Sequence, residues 1–190
     1  MLRGKILNRT KNIKTDLFER EQNIRCNLLT VPNDLDELEE LAMVLFYKKD
    51  CEGALELWDK LYKSGKKNEI SIGFLGYLNY ELGNYSDSIK FFNKFLDESP
   101  QDSFVHFLLG NAYSRIGKII EAINSYDFSI FLGLDMYKTH LDFAKEYEAL
   151  GRYSKALVEY IAAFEIDPRD KKIKKKILEL KENIDKNKNN

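Results

Sequence analysis

Between Ser103 and Met136 the apolar residues Leu108, Leu109, Ala112, Tyr113 and Ile116 recur at three- and four-residue steps, the spacing of one helix face. Gly117 interrupts the run, and Ile119, Ala122, Ile123 and Tyr126 begin a second face. The pattern predicts two helices joined at a glycine, where the backbone can turn at low cost. The same pair is written four times at a step of 34 residues. Trp58, Phe92, Tyr126 and Tyr160 form an aromatic column, and Ala54, Ser88, Ala122 and Ala156 a small one. Ala42, Gly76, Gly110 and Ala144 form a second small column. Leu41, Leu75, Leu109 and Phe143, and likewise Leu55, Ile89, Ile123 and Leu157, are large and apolar. Gly83, Gly117 and Gly151 share a turn column in which Lys49 is the exception. Columns in phase at a fixed period of this length mark a repeat array.

The small columns predict close helix crossings, with the aromatic column filling the space beside them. Pro100 and Pro168 close their copies, because proline lacks the N–H needed to continue a helix. Units are therefore expected at 35–68, 69–102, 103–136 and 137–170. Residues 15–34 read as a flanking helix or degenerate half-repeat. Asp16 with Glu19 forms a capping box there, and Leu17, Ile24 and Leu28 make one apolar stripe. Residues 1–14 show no helical face and are expected to be flexible. Ile173, Ile177, Leu180 and Ile184 make a stripe over 171–190, as expected of a capping helix with a polar outer face and a frayed tail.

The stretches "LGYLNYELGNYSDSIKFFNKFLDESP" and "LLGNAYSRIGKIIEAINSY" resemble the tetratricopeptide repeat family, with weaker matches in "ELAMVLFYKKDCEGALELW" and "FAKEYEALGRYSKALVEY". The resemblance covers residues 35–168. It implies an all-α fold, a right-handed α-solenoid of tandem helix–turn–helix units with a flanking N-terminal helix and a C-terminal capping helix. The first copy departs most, with Lys49 for the turn glycine, Cys51 for a tyrosine-type residue and Lys66 for the proline. In the second copy Asn79 stands where Tyr113 and Tyr147 stand later.

Hydrophobic residues make up 44% of the 190 residues and charged ones 32%, which is enough apolar material for a core. The net charge of −1 conceals a pattern. Residues 1–14 carry five basic and no acidic groups, and residues 169–190 nine basic and four acidic, so each end is +5 and the body between them −11. The basic ends raise nucleic-acid or anionic-membrane association as an alternative. The acidic body and the lack of interleaved aromatics argue against nucleic acid. Cys26 and Cys51 form neither a disulfide framework nor a metal spacing, which favours a reducing, cytoplasmic setting. No apolar run is long enough to span a bilayer.

Candidate chemistry is sparse. His106 and His140 are one repeat apart, at positions where the family carries a packing residue, and have no partner at ligand spacing. Gly65-Lys66 and Gly117-Lys118 lack the other residues of a phosphate loop. The acids of "NDLDELEE" lack a calcium-loop layout and suit the first turn of a helix. No catalytic, metal or cofactor site is therefore expected, and the chain reads as a non-enzyme.

In the resembled family the first helices of successive units line a concave groove that holds a peptide or short helix. The matching residues here include Met43, Phe46, Tyr47, Tyr77, Tyr80, Phe107, Asn111, Arg115, Lys138, Leu141 and Lys145. The resemblance thus implies a protein-interaction scaffold with aromatic anchors, or a chaperone for a secreted or assembling substrate. Coverage of these aromatics by the chain's own helix Asp16–Leu29 is the competing reading. Chaperones whose C-terminal carboxylate is gripped by Lys and Asn are not expected partners, since Glu39 and Met43 stand at the first of the clamp positions.

Overall fold

The computed structural model describes residues 2–7, 9 and 16–188. Among them are eleven helices and no strand: α1 (Leu2–Leu7), α2 (Leu17–Thr30), α3 (Leu35–Tyr47), α4 (Cys51–Lys63), α5 (Glu69–Glu81), α6 (Tyr85–Glu98), α7 (Ser103–Arg115), α8 (Ile119–Phe131), α9 (Met136–Ala149), α10 (Tyr153–Ile166) and α11 (Lys171–Lys188). Among the described residues, 2–4 and 16–133 form one compact unit, and 5–7, 9 and 134–188 a second. In the first, each helix from α2 to α8 packs on the next in the chain; in the second, α9 packs on α10 and α10 on α11. The four expected helix pairs are α3/α4, α5/α6, α7/α8 and α9/α10.

The first helices share a start signal. Asp34 accepts from the Asp36 and Glu37 amides, Asn68 from that of Ser71, and Asp102 from that of Val105. Each side chain satisfies donors that the first helical turn leaves unpaired. These caps also fall 34 residues apart, and α9 shifts by one residue to use Asp135, which accepts from the Lys138 amide. The acids after Asp34 are absorbed by the structure. Lys66 Nζ lies 2.7 Å from Asp36 Oδ1 and 2.6 Å from Glu39 Oε2, tying the α4–α5 loop to the start of α3. The lysine that replaces the proline of other copies is thus a tether.

The turns inside the pairs are alike in all four copies. Gly83, Gly117 and Gly151 take φ of 84°, 76° and 73°, and Lys49 takes 73° in the same place. The following amide then bonds back five residues: Asp50 to Leu45 O at 3.0 Å, and Asn84 to Asn79 O at 2.8 Å. The first turn therefore keeps the geometry of the others, with a residue that lacks glycine's freedom.

Packing follows the small columns. Ala42, Ala54, Ala144 and Ala156 are fully buried. A Cβ added to Gly76 would lie 2.6 Å from the Phe92 ring, and one added to Gly110 would lie 2.6 Å from the Tyr126 ring. The aromatic of each second helix therefore occupies the space that the first helix leaves open. Trp58 stacks on Phe74 with centroids 5.0 Å apart and planes 3° off parallel. Buried Asn79 donates to Leu75 O and accepts from Asn84, so amide bonding replaces a tyrosine ring there.

The ends differ in part from the expectation. Leu2–Leu7 is a short helix with Leu2 and Ile6 buried; a pair four residues apart makes one helical face even in so short a run. The flexibility expected for residues 1, 8 and 10–14 falls on residues outside those described. Asp16 caps α2 as the capping box requires, accepting from the Phe18 and Glu19 amides at 3.0 Å. Helix α11 buries Ile173, Ile177 and Leu180, while Lys171, Lys172, Lys174 and Lys175 face solvent. Lys176 reaches Glu148 of α9 at 2.6 Å, and Tyr137 donates to Asp170 at 2.7 Å. That hydrogen bond to a carboxylate holds the Tyr137 phenol up at about 12.

Candidate functional site on the first helices

Side chains on α3, α5 and α7 compose the candidate surface of the first unit. Four of the expected anchors are buried: Met43, Phe46, Tyr77 and Phe107, with Phe46 and Phe107 fully so. Phe46 meets Phe74 edge-on at 5.2 Å and Tyr77 edge-on at 6.1 Å. Phe107 lies between Phe104 and Tyr126, with centroids at 6.5 and 6.1 Å. These rings bury large apolar area in favourable geometry, so they form the floor of the face and are not open anchors.

Tyr47, Tyr80 and Asn111 are half-buried and Arg115 is exposed. The Tyr80 ring meets that of Tyr85 at 5.6 Å. Asn111 is held from beneath, its Oδ1 accepting from the Tyr126 hydroxyl at 2.7 Å. In the second unit, Lys138 and Lys145 of α9 are exposed and Leu141 between them is half-buried.

The first unit's face carries part of the chain itself. Leu2 is buried, and a Cβ placed on Gly73 would fall 2.6 Å from Leu2 Cδ2. The Arg3 guanidinium stands 5.9 Å from the centre of the Phe104 ring. Gly73 lies 34 residues before Phe107 and 34 after Glu39, so it belongs to a column of the candidate surface. The segment seated on this column is the first turn of α1, which lies outside the Asp16–Leu29 helix of the competing reading. A signal was present: glycine inside a helix costs about 1 kcal/mol against alanine and so marks a close approach.

Helix α2 has a different attachment. Buried Glu21 bonds Lys48 Nζ at 2.5 Å and Arg25 Nε at 2.8 Å. The Lys48 hydrogen bond holds its carboxyl below the ordinary value of 4.5 against the opposing effect of burial. The open cleft between α2 and α3 is lined mostly by polar side chains that pair with one another, Arg20 with Glu40 and Asn27 with Glu37.

The histidines have packing surroundings. The His106 ring lies 4.7 Å from that of Phe128 and its Nε2 is 2.9 Å from Pro100 O. His140 Nδ1 is 2.8 Å from Glu159 Oε2. Among the described residues no group of three or more His, Cys, Asp or Glu could hold a metal ion. No described helix is long and apolar enough to cross a membrane.

The tetratricopeptide repeat model matches residues 71–102 and 137–170. Human protein O-mannosyl-transferase TMTC2 is 29% identical over 97 residues, covering 50% of this chain and 12% of that protein. The Hsp70-Hsp90 organising protein of Plasmodium falciparum is 25% identical over 99 residues, covering 52% and 39% respectively. The chain thus spans well under half of either relative. Among solved structures, MamA of AMB-1 superposes with a TM-score of 0.61 at 21% identity, over 88% of this chain and 90% of that one. A tetratricopeptide repeat protein of Parabacteroides merdae gives 0.62 at 17% identity, over 94% and 72%. At these identities the likeness is one of fold. Helix pairs at a constant step, left-handed turn residues and rings seated over small residues agree with these likenesses: the chain is a helical repeat protein, with the tetratricopeptide repeat model matched at two of its pairs.

Proposed function

We propose that the chain is a non-enzymatic protein-interaction scaffold that binds a peptide or short helix of a partner on the first-helix face of its first unit. Tyr47, Tyr80 and Arg115 contact the ligand, and the rings of Phe46, Tyr77 and Phe107 shape the floor beneath it. The observation that carries this reading is the seat of Leu2 against Gly73, with Arg3 over Phe104. A surface that accepts an apolar turn with a cation beside it has the chemistry of a helix-in-groove site. The N-terminal turn would then act as a resident ligand that a partner displaces. On α9, Lys138, Leu141 and Lys145 form an equivalent face of the second unit, suited to an acidic peptide.

The test is a peptide-display selection against the whole chain, followed by affinity measurement of the recovered sequences. Tyr80→Ala with Arg115→Ala should weaken them by about tenfold or more. Leu2→Ala should tighten them by loosening the resident turn. Peptides that bind the double variant as well as the native chain would remove this face from the account.

A further inference from the structure

Six of the described helices carry an acid in the first turn, at Glu19, Asp36, Glu52, Glu69, Asp87 and Glu121, which suits the partial positive charge of a helix start. Helix α11 has none there and places Lys171, Lys172 and Lys174 instead. All three are exposed, as are Lys175 and Lys181. Among the described residues Lys171, Lys172 and Lys174 form no ion pair, whereas Lys175 stands 3.7 Å from Glu179 and Lys176 is taken by Glu148. Asp167 and Asp170, the acids just before the helix, are engaged by Arg169 and Tyr137. Residues 169–181 thus carry seven basic and two acidic groups. Helix α11 lies wholly in the second unit and packs on α10 through Ile173, Ile177 and Leu180. The outward lysines are therefore not needed for packing, and those of the first turn oppose the helix dipole. Leu178 is 55% exposed, and three of its four neighbours at i±3 and i±4 are Lys174, Lys175 and Lys181.

We infer that this face of α11 docks the chain onto an anionic lipid bilayer. The charge calls for an anionic partner, and the residue types select the lipid. Lysine is a compact, hydrated point charge that responds to the summed field of a surface, whereas a single carboxylate or phosphate is gripped best by the paired donors of arginine. Helix α11 contains no aromatic residue on which a nucleic-acid base could stack. The outward face of one helix is convex and gives a peptide no groove. An exposed leucine among lysines matches a bilayer surface, where the cations meet headgroups and the apolar side chain enters the acyl boundary. Residues 134–188 of the second unit hold thirteen basic and eleven acidic groups, so that unit does not repel such a surface. The first-helix face plays no part, and the two proposals stand or fall separately.

The test is co-sedimentation of the full chain with vesicles holding about 30% phosphatidylserine, beside pure phosphatidylcholine, at about 0.05 and 0.5 M salt. The chain should bind the anionic vesicles at low salt, leave them at high salt and ignore phosphatidylcholine. Lys171→Gln with Lys174→Gln and Lys175→Gln should weaken binding by about a hundredfold, at roughly fivefold per lysine. That variant should keep the native helical content and a Tm no lower than native, since its first turn sheds positive charge. Lys138 and Lys145 of α9 stay in place, so the loss reports α11 alone. Leu178→Trp gives a second reading: its emission should move to the blue on the vesicles, because Trp58 is already buried. A native chain that stays off the anionic vesicles at low salt overturns the inference. So does a folded triple variant that binds as the native chain does, or an unmoved emission from the bound Leu178→Trp chain. A single-stranded RNA or an oligoglutamate peptide bound in preference to the vesicles would assign the lysines to another partner and overturn it too.

Discussion

Lys49→Gly is expected to stabilise the protein although it removes a whole side chain. Lys49 sits at φ 73° in the turn between α3 and α4, where an L-residue's Cβ crowds the carbonyl at a cost of about 1–2 kcal/mol. Glycine removes that cost but brings a freer unfolded chain, worth about 0.5–1 kcal/mol in the other direction. The net gain is about 0.5–1 kcal/mol, or roughly 1–4 °C in Tm for a chain of this size. Gly83→Ala is the reciprocal control. Its φ is 84° and a Cβ there would meet nothing within 4 Å, so backbone strain alone should cost about 1 kcal/mol. Urea unfolding followed by circular dichroism measures both. A Lys49→Gly chain that is less stable than the native one, or a Gly83→Ala chain that is equally stable, would refute the assignment of a common turn geometry.

Gly76→Ala should lose about 1–2 kcal/mol on urea unfolding despite alanine's better helix propensity, because its methyl would overlap the fully buried Phe92 ring. Glu21→Gln should cost about 1–2 kcal/mol at neutral pH, where a buried carboxylate bonded to Lys48 and Arg25 is lost. Because the folded Glu21 pKa lies below its ordinary 4.5, its contribution is complete above that value and fades as pH falls through the folded value. The gap between native and Glu21→Gln chains should therefore close on acidification, as read from paired unfolding curves. Tyr137 should ionise at about 12 and return toward 10 when Asp170 is replaced by Asn, as followed by ultraviolet titration; an unchanged midpoint would deny the hydrogen bond.

The repeat was legible because its columns are written by residues that touch within a pair. Gly76 with Phe92 and Gly110 with Tyr126 are sixteen residues apart in each copy, so packing imprints the period directly. The capping column of Asp34, Asn68 and Asp102 is equally readable, although it lies outside the apolar pattern. Burial on the first-helix face was not readable. Whether Phe46 or Tyr77 faces water depends on residues distant in sequence, and Leu2 reaches Gly73 across some seventy positions. Lys49 and Lys66 looked like decay of the motif because composition records neither backbone angle nor a long-range ion pair.

In the proposed function the first helices are the surface that meets a ligand. Backbone amide shifts of the isotopically labelled chain, recorded while a display-selected peptide is titrated in, test this most directly. The largest changes should fall at Tyr47, Tyr80 and Arg115 and at the first turn of α1 as Leu2 leaves Gly73. Changes confined to the second helices α4, α6 and α8, with the α1 signals unmoved, would contradict it.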